Sequence, residues 1–203
     1  MVAGTASSTL PGADGPALAY PARLEVALRK KLPGINVKVI SQAKPRQTAQ
    51  DMAVGFSNLL KEENPTLVVW QTGTADAIRG VGAEEFQATL EQGVDTLHAG
   101  GADVVFMNMQ FSPRTDIVLS TGPYAEALRW VGLERDVNLF DRLGIMRQWS
   151  ELGTFDLFAA TKSFETAARV HNCIGGMLAD LVVDAATLDT ADPKEGNKDE
   201  QKQ

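Results

Sequence analysis

The sequence predicts a doubly wound α/β sandwich, three layers deep, around a mostly parallel sheet. Short apolar runs rich in β-branched residues alternate with amphipathic stretches about five times along the chain. The clearest run, Leu67-Val68-Val69-Trp70-Gln71-Thr72, stops at Gly73-Thr74-Ala75-Asp76, as a strand buried on both faces does when it delivers a loop to the sheet edge. A chain of 203 residues that is 44% hydrophobic can also bury one substantial core. We therefore expect a single domain over residues 1–188.

Taken in order, residues 1–4 allow only a very short strand before a Ser/Gly/Pro segment at 5–16. With no basic n-region or apolar h-region at this start, we expect natural sequence upstream, an export signal included, and hence an exported or periplasmic protein. Tyr20–Lys31 reads as an amphipathic helix stopped by Pro33-Gly34. Residues 35–40 alternate (Ile35, Val37, Val39) as a strand does, and the polar loop 41–47 follows. Residues 48–62 place Met52, Phe56, Leu59 and Leu60 at helical spacing, and Pro65 introduces the 67–72 strand. Ala83–Ala99 is a helix ended by Gly100-Gly101, and 103–109 is a buried strand closed by Gln110-Phe111-Ser112-Pro113. A helix at 121–134, a short strand at 137–140 and a helix at Arg142–Glu151 come next, with Asp141-Arg142 read as the turn between the last two. Residues 163–186 form a long final helix, and the polar tail 189–203 predicts disorder.

Composition excludes several classes of function. The net charge is −7, the pI is near 4.9, and no Lys/Arg cluster is interleaved with aromatics, so nucleic acid is not an expected partner. No apolar run reaches the roughly 18 residues of a membrane span. Cys173, the single cysteine, rules out an intrachain disulfide framework, and no Cys/His spacing calls for a metal. The first strand is followed by no Gly-x-Gly-x-x-Gly or Walker-type loop. We expect neither metal nor cofactor.

In such a fold, chemistry gathers where loops leave the carboxyl ends of strands, here 5–9, 41–47, 73–76 and 110–113. Only Ala6-Ser7-Ser8-Thr9 presents hydroxyls directly after the first strand. A serine on a sharp turn there can aim its Oγ outward as a nucleophile. The structural alternative is that these hydroxyls merely cap the following segment. His98, near the end of a helix, suits the helix dipole. Trp70, Trp130, Trp149 and Cys173 read as packing residues, the cysteine as an inert thiol.

The order Thr5-Ala6-Ser7-Ser8-Thr9, Tyr20-Pro21-Ala22-Arg23-Leu24, then Trp70-Gln71-Thr72-Gly73-Thr74-Ala75-Asp76 resembles the SGNH (GDSL-type) hydrolases, in particular bacterial members whose first block reads Gly-Ser-Ser-Ser-Thr. The resemblance spans all but the tail. It implies a five-stranded parallel sheet between helices and ester hydrolysis by a serine nucleophile, with a histidine base oriented by an aspartate. An oxyanion hole would be made by the serine amide, a block II glycine amide and a block III asparagine.

Carried over by position, Ser7 falls on the nucleophile. Block II reads Ser41-Gln42-Ala43-Lys44-Pro45-Arg46, so Ala43 stands where the glycine amide would donate. In block III, Gly73-Thr74-Ala75-Asp76 puts Ala75 in place of the asparagine, and loss of one such donor costs about 100- to 1,000-fold in rate. Gly73, Thr74 and Asp76 would flank the pocket. For block V, aligning the helix 172–182 sets Lys162 at the aspartate and Glu165 at the histidine, which removes the base. A second register makes His171 the base, with Ala168 at the missing aspartate. Helical spacing of Phe164, Ala168, His171, Gly175, Leu178 and Val182 also fits a histidine on a core-facing stripe. Two functions follow: a domain that has lost efficient hydrolysis and binds a small-molecule ester, carbohydrate or protein partner, or a working esterase using Ser7 and His171.

Overall fold

The structure, a computed structural model, describes residues 1–158 and 164–188. Lys162 and the tail 189–203 lie outside those residues. In chain order the elements are β1 (Val2–Gly4), α1 (Gly15–Leu18), α2 (Tyr20–Lys31), β2 (Ser41–Ala43), α3 (Ala49–Ala53), α4 (Phe56–Glu63), β3 (Leu67–Gln71), α5 (Thr74–Arg79) and α6 (Ala83–Ala99). They continue with β4 (Asp103–Met107), α7 (Pro113–Asp116), α8 (Gly122–Glu134), β5 (Asn138–Phe140), α9 (Arg142–Glu151) and α10 (Phe164–Leu188).

The strands form one five-stranded sheet in the order β2-β1-β3-β4-β5, every neighbouring pair parallel. Parallel neighbours need crossover connections, which the helices supply on the two faces. The strand order reverses beside β1, between its loop and that of β3, which is where open α/β sheets form their binding crevice. β3 is buried because both its faces are covered. Trp70 is fully buried, with Phe56 edge-on at 4.8 Å and Phe106 tilted at 5.8 Å.

Three expectations shift. The edge strand is Ser41–Ala43, not 35–40. β1 is short, and its register with β3 (Val2↔Val69) sets the level at which an edge strand can pair, so Val2 faces Ser41. The alternating segment before it is tied to α2 instead: Arg29 Nε donates to the Val37 carbonyl, and Val39 N donates to Glu25 Oε2. The single helix expected at 48–62 is two, because Gly55 interrupts it and Thr48 and Asp51 build a reciprocal N-terminal cap on α3 alone. Trp130 is 55% exposed on α8, while Leu128 and Val131 on the same helix take the core positions. Trp149 packs as expected, edge-on to Phe155.

α2 and α10 lie against each other. Gly175 sets their separation, since a Cβ there would sit 2.6 Å from Arg23 Cβ and 2.9 Å from Leu24 N. This close crossing carries His171 toward the start of α2.

Candidate active site

Ser7 is the middle residue of a 3-10 turn, Ala6–Ser8, that leaves β1 almost directly. Gln71, the last residue of β3, is fully buried and holds this turn. Its Oε1 accepts from Thr5 N at 3.0 Å, Thr5 Oγ1 at 3.2 Å, Ser8 Oγ at 2.9 Å and Ser7 Oγ at 3.2 Å. A backbone N–H can only donate, so Thr5 N fixes which end of the Gln71 amide faces the turn. Gly4 makes the crowding possible: a Cβ there would collide with Ser8 Oγ. Ser8 Oγ also shares a hydrogen bond with the Tyr20 hydroxyl at 2.9 Å.

The second group on Ser7 is Arg142, the first residue of α9 and only 2% exposed. Its Nη2 donates to Ser7 Oγ at 3.2 Å and its Nη1 to the Ser7 carbonyl at 3.4 Å. Buried Asn108, just past β4, sets where α9 begins. Its Oδ1 accepts from Leu143 N at 2.8 Å and its Nδ2 donates to Asp141 Oδ1 at 2.6 Å. Asp141 Oδ1 then caps the helix by accepting from Gly144 N. Burial lowers the Arg142 pKa to about 10, partly offset by the Tyr20 phenol, so the side chain is still a cation at neutral pH. No carboxylate is in ion-pair contact with it among the described residues.

His171, half-buried on α10, turns its ring to Tyr20, with centroids 6.0 Å apart. Tyr20 N donates to His171 Nδ1 at 3.0 Å. Tyr20 opens α2, whose N-cap residue Ala19 has no side chain able to accept, so the imidazole satisfies one of the orphan N–H groups at that helix start. An Nδ1 that accepts from a backbone N–H carries no proton, so the neutral ring bears its hydrogen on Nε2. Burial and the Arg142 charge together lower the His171 pKa to about 4. Among the described residues the Ser7 hydroxyl is bonded to neither an imidazole nor a carboxylate; its partners are Gln71 and Arg142. His171 and Arg142 nevertheless line one small cavity of about 10 Å³, with Tyr20, Gln110, Met146, Val170 and Ile174.

The remaining candidates are placed as follows. Ala43 ends β2 opposite Gly4, and the next amide, Lys44 N, donates to the Gly4 carbonyl. Gly73 caps α5 at φ +100°, a left-handed conformation that suits glycine, and a Cβ there would strike Met109. Ala75 is buried and offers a methyl in place of a donor. Asp76 faces inward: its Oδ1 accepts from Ala49 N, and its Oδ2 from Gly73 N and Thr72 Oγ1. Burial raises its pKa against the pull of those bonds. Asp76 thus joins the starts of α3 and α5. Thr74 Oγ1 is buried without a partner among the described residues. Glu165 is exposed in the first turn of α10. Among the described residues no cluster of three or more His, Cys, Asp or Glu could hold a metal, and no helix is long and apolar enough to cross a membrane.

Sequence reasoning passed over Gln71, Asn108 and above all Arg142. The available signal was positional: a cation at the first position of a helix opposes the helix dipole, and such a local conflict marks a residue held there for another purpose.

In fold the chain is similar to several solved esterases. EstA, a psychrotrophic esterase from Pseudoalteromonas sp. solved inhibited by monoethylphosphonate, superposes with a TM-score of 0.69 at 14% identity, covering 92% of this chain and 97% of EstA. A catalytic mutant of Axe2, an acetylxylan esterase from Geobacillus stearothermophilus, gives 0.66 at 16% identity over 86% and 92% of the two chains. The lipase/acylhydrolase from Enterococcus faecalis gives 0.66 at 13% identity over 96% and 97%. Identities this low speak to fold alone, and that fold is the SGNH-hydrolase α/β/α sandwich. No curated protein matches the chain in sequence. The sequence profile of the non-GDSL lipase-like family, however, matches residues 1–188 from the first strand through the last helix, and the chain belongs to that family.

Proposed function

We propose that this SGNH-hydrolase-like domain has lost efficient ester hydrolysis and acts by binding, with a small-molecule ester, a carbohydrate or a protein partner held at the old pocket. The observation that carries this reading is the hydrogen bond from Tyr20 N to His171 Nδ1. A general base for serine must receive a proton on the nitrogen that faces the hydroxyl, while the other nitrogen keeps its own hydrogen. Here the polarity is reversed, with Nδ1 the acceptor and Nε2 already protonated. A wrong tautomer in an otherwise intact triad costs about 10⁴-fold. Gln71 Oε1, the group that accepts from Ser7, is an amide oxygen and no base. Ala75 adds the lost oxyanion donor.

A second reading, an active serine esterase, draws support from the cavity shared by His171 and Arg142, the latter touching Ser7. It requires the ring to release Tyr20 N. Ser7 Oγ would then bond to the acyl carbon as His171 takes its proton. The alcohol would leave with that proton, and water would hydrolyse the acyl-enzyme. Hydrolysis of short p-nitrophenyl esters by wild type, Ser7→Ala and His171→Ala separates the two. We expect wild type to be near the uncatalysed rate and unlabelled by a fluorophosphonate probe. A robust activity abolished by both substitutions would overturn the binding reading.

A further inference from the structure

β2 is an edge strand, and α2 covers only part of the edge that leads into it. In a parallel ladder, alternate residues of a strand bond a given neighbour. Val2 N donates to the Ile40 carbonyl and Lys44 N to the Gly4 carbonyl, so residues 40, 42 and 44 face β1. The residues between them turn their N–H and C=O groups away from the sheet, whose order ends at β2. Two of these outward groups are met from α2: Arg29 Nε donates to the Val37 carbonyl, and Glu25 Oε2 accepts from Val39 N. Arg29 and Glu25 are themselves an ion pair at 2.8 Å, and this clamp ends at Val39. Ser41 and Ala43, next along the edge, have no such partner for their outward backbone groups among the described residues.

A groove of about 400 Å³ opens where the clamp ends, lined by Val39 and Ser41 on the edge, Ala22 and Val26 on α2, and Pro16 and Ala17 on α1. No aromatic ring lines it, and its one carboxylate, Glu25, is already engaged. Such a wall suits aliphatic side chains. On a strand added to this edge, every second side chain would face α2 and the groove. Lys38 precedes the open stretch, and Lys44 and Arg46 follow it. All three are exposed and none is ion-paired among the described residues, on a chain of net charge −7. A second copy bringing the same edge would set like charges together, whereas an acidic strand meets opposite ones. We propose that the Ser41–Ala43 edge binds an extended acidic segment of a partner protein by strand addition, its backbone pairing with Ser41 and Ala43 and its aliphatic side chains entering the groove. The site is separate from the Ser7 hydroxyl and stands whether or not the chain hydrolyses esters.

The test titrates a short blocked peptide alternating valine with glutamate into the isotope-labelled full chain, read by NMR. We expect saturable shifts, with amide exchange slowed at least roughly tenfold at Ser41 and Ala43 and by less at Gln42, which already faces β1. Ala43→Pro removes one outward N–H, a change an edge strand tolerates, and should weaken binding about fivefold. Lys44→Glu should weaken it too and shift the preference toward a valine–lysine peptide. If Ala43→Pro fails to fold, an N-methylated peptide removes the same hydrogen bonds from the other side and should leave wild type without saturable shifts. The proposal is overturned by an absence of saturable shifts, by equal binding of the N-methylated or the valine–lysine peptide to wild type, by indifference of a folded Ala43→Pro, or by slowing at Gln42 that matches its neighbours. Protection of Ser41 and Ala43 that grows with protein concentration alone would name a second copy as the occupant and overturn it as well.

Discussion

If His171 caps α2 as a neutral ring, acid should destabilise the protein through this one side chain, and His171→Asn should abolish the effect. Asparagine places an acceptor oxygen near the position of Nδ1, so Tyr20 N keeps a partner, and nothing titrates. The folded pKa is about 4 against an ordinary 6.5, so between those values the unfolded chain binds the proton that the folded chain refuses. Stability is therefore full above pH 6.5 and declines as the pH falls toward 4. For such a group the loss between pH 7.5 and pH 5 is about 2 kcal/mol. Urea unfolding of wild type and variant at both pH values gives two differences in ΔG. Packing lost with the ring appears in both and cancels, as do the other titrating groups, Asp76 among them. The wild-type advantage should shrink by about 2 kcal/mol on going to pH 5. An advantage unchanged by pH, or one that grows in acid, would refute the capping role and with it the tautomer on which the functional reading stands.

Two neighbouring glycines of α10 should respond with opposite signs. Gly175→Ala forces α2 and α10 apart and should cost about 1–3 kcal/mol in overpacking, less the gain of about 1 kcal/mol in helix propensity. Gly176→Ala meets nothing within 4 Å and should stabilise by about 1 kcal/mol; urea midpoints that move the same way for both would contradict the packing. Asn108→Ala strips the acceptor from buried Leu143 N and the donor from Asp141, and should cost about 2–4 kcal/mol in the same assay. A loss below about 0.5 kcal/mol would mean α9 is positioned by something else.

The sequence is informative where the cause is local. β3 and the helices Tyr20–Lys31, Ala83–Ala99 and Arg142–Glu151 follow from apolar periodicity and their stops, and the structure places them at or within a residue of those bounds. The edge strand slipped because its position depends on a partner: Ile35, Val37 and Val39 alternate well, yet Val2 pairs with Ser41. Ser7 was visible from its place after the first strand. Arg142 touches it across 135 positions of sequence, and His171 meets Tyr20 across 151. Hydrophobic periodicity carries no trace of such pairs. Only the cation at a helix start hinted at one of them.

On the proposed reading as a binding domain, the two contacts that periodicity could not reveal oppose catalysis for independent reasons. Tyr20 N demands a lone pair on Nδ1, whereas a serine base needs a hydrogen there, so capping α2 and activating Ser7 require opposite polarity at one atom. Arg142 acts on the next step. The imidazolium that forms when a base takes the serine proton is stabilised by a neighbouring carboxylate in a working triad, and here the neighbour is a second cation. A carboxylate restored at Ala168 would leave the first obstacle in place, since Tyr20 N would still occupy Nδ1. On that reading, recovering hydrolysis would need a new acceptor for the start of α2 and a new counter-charge for Arg142 together.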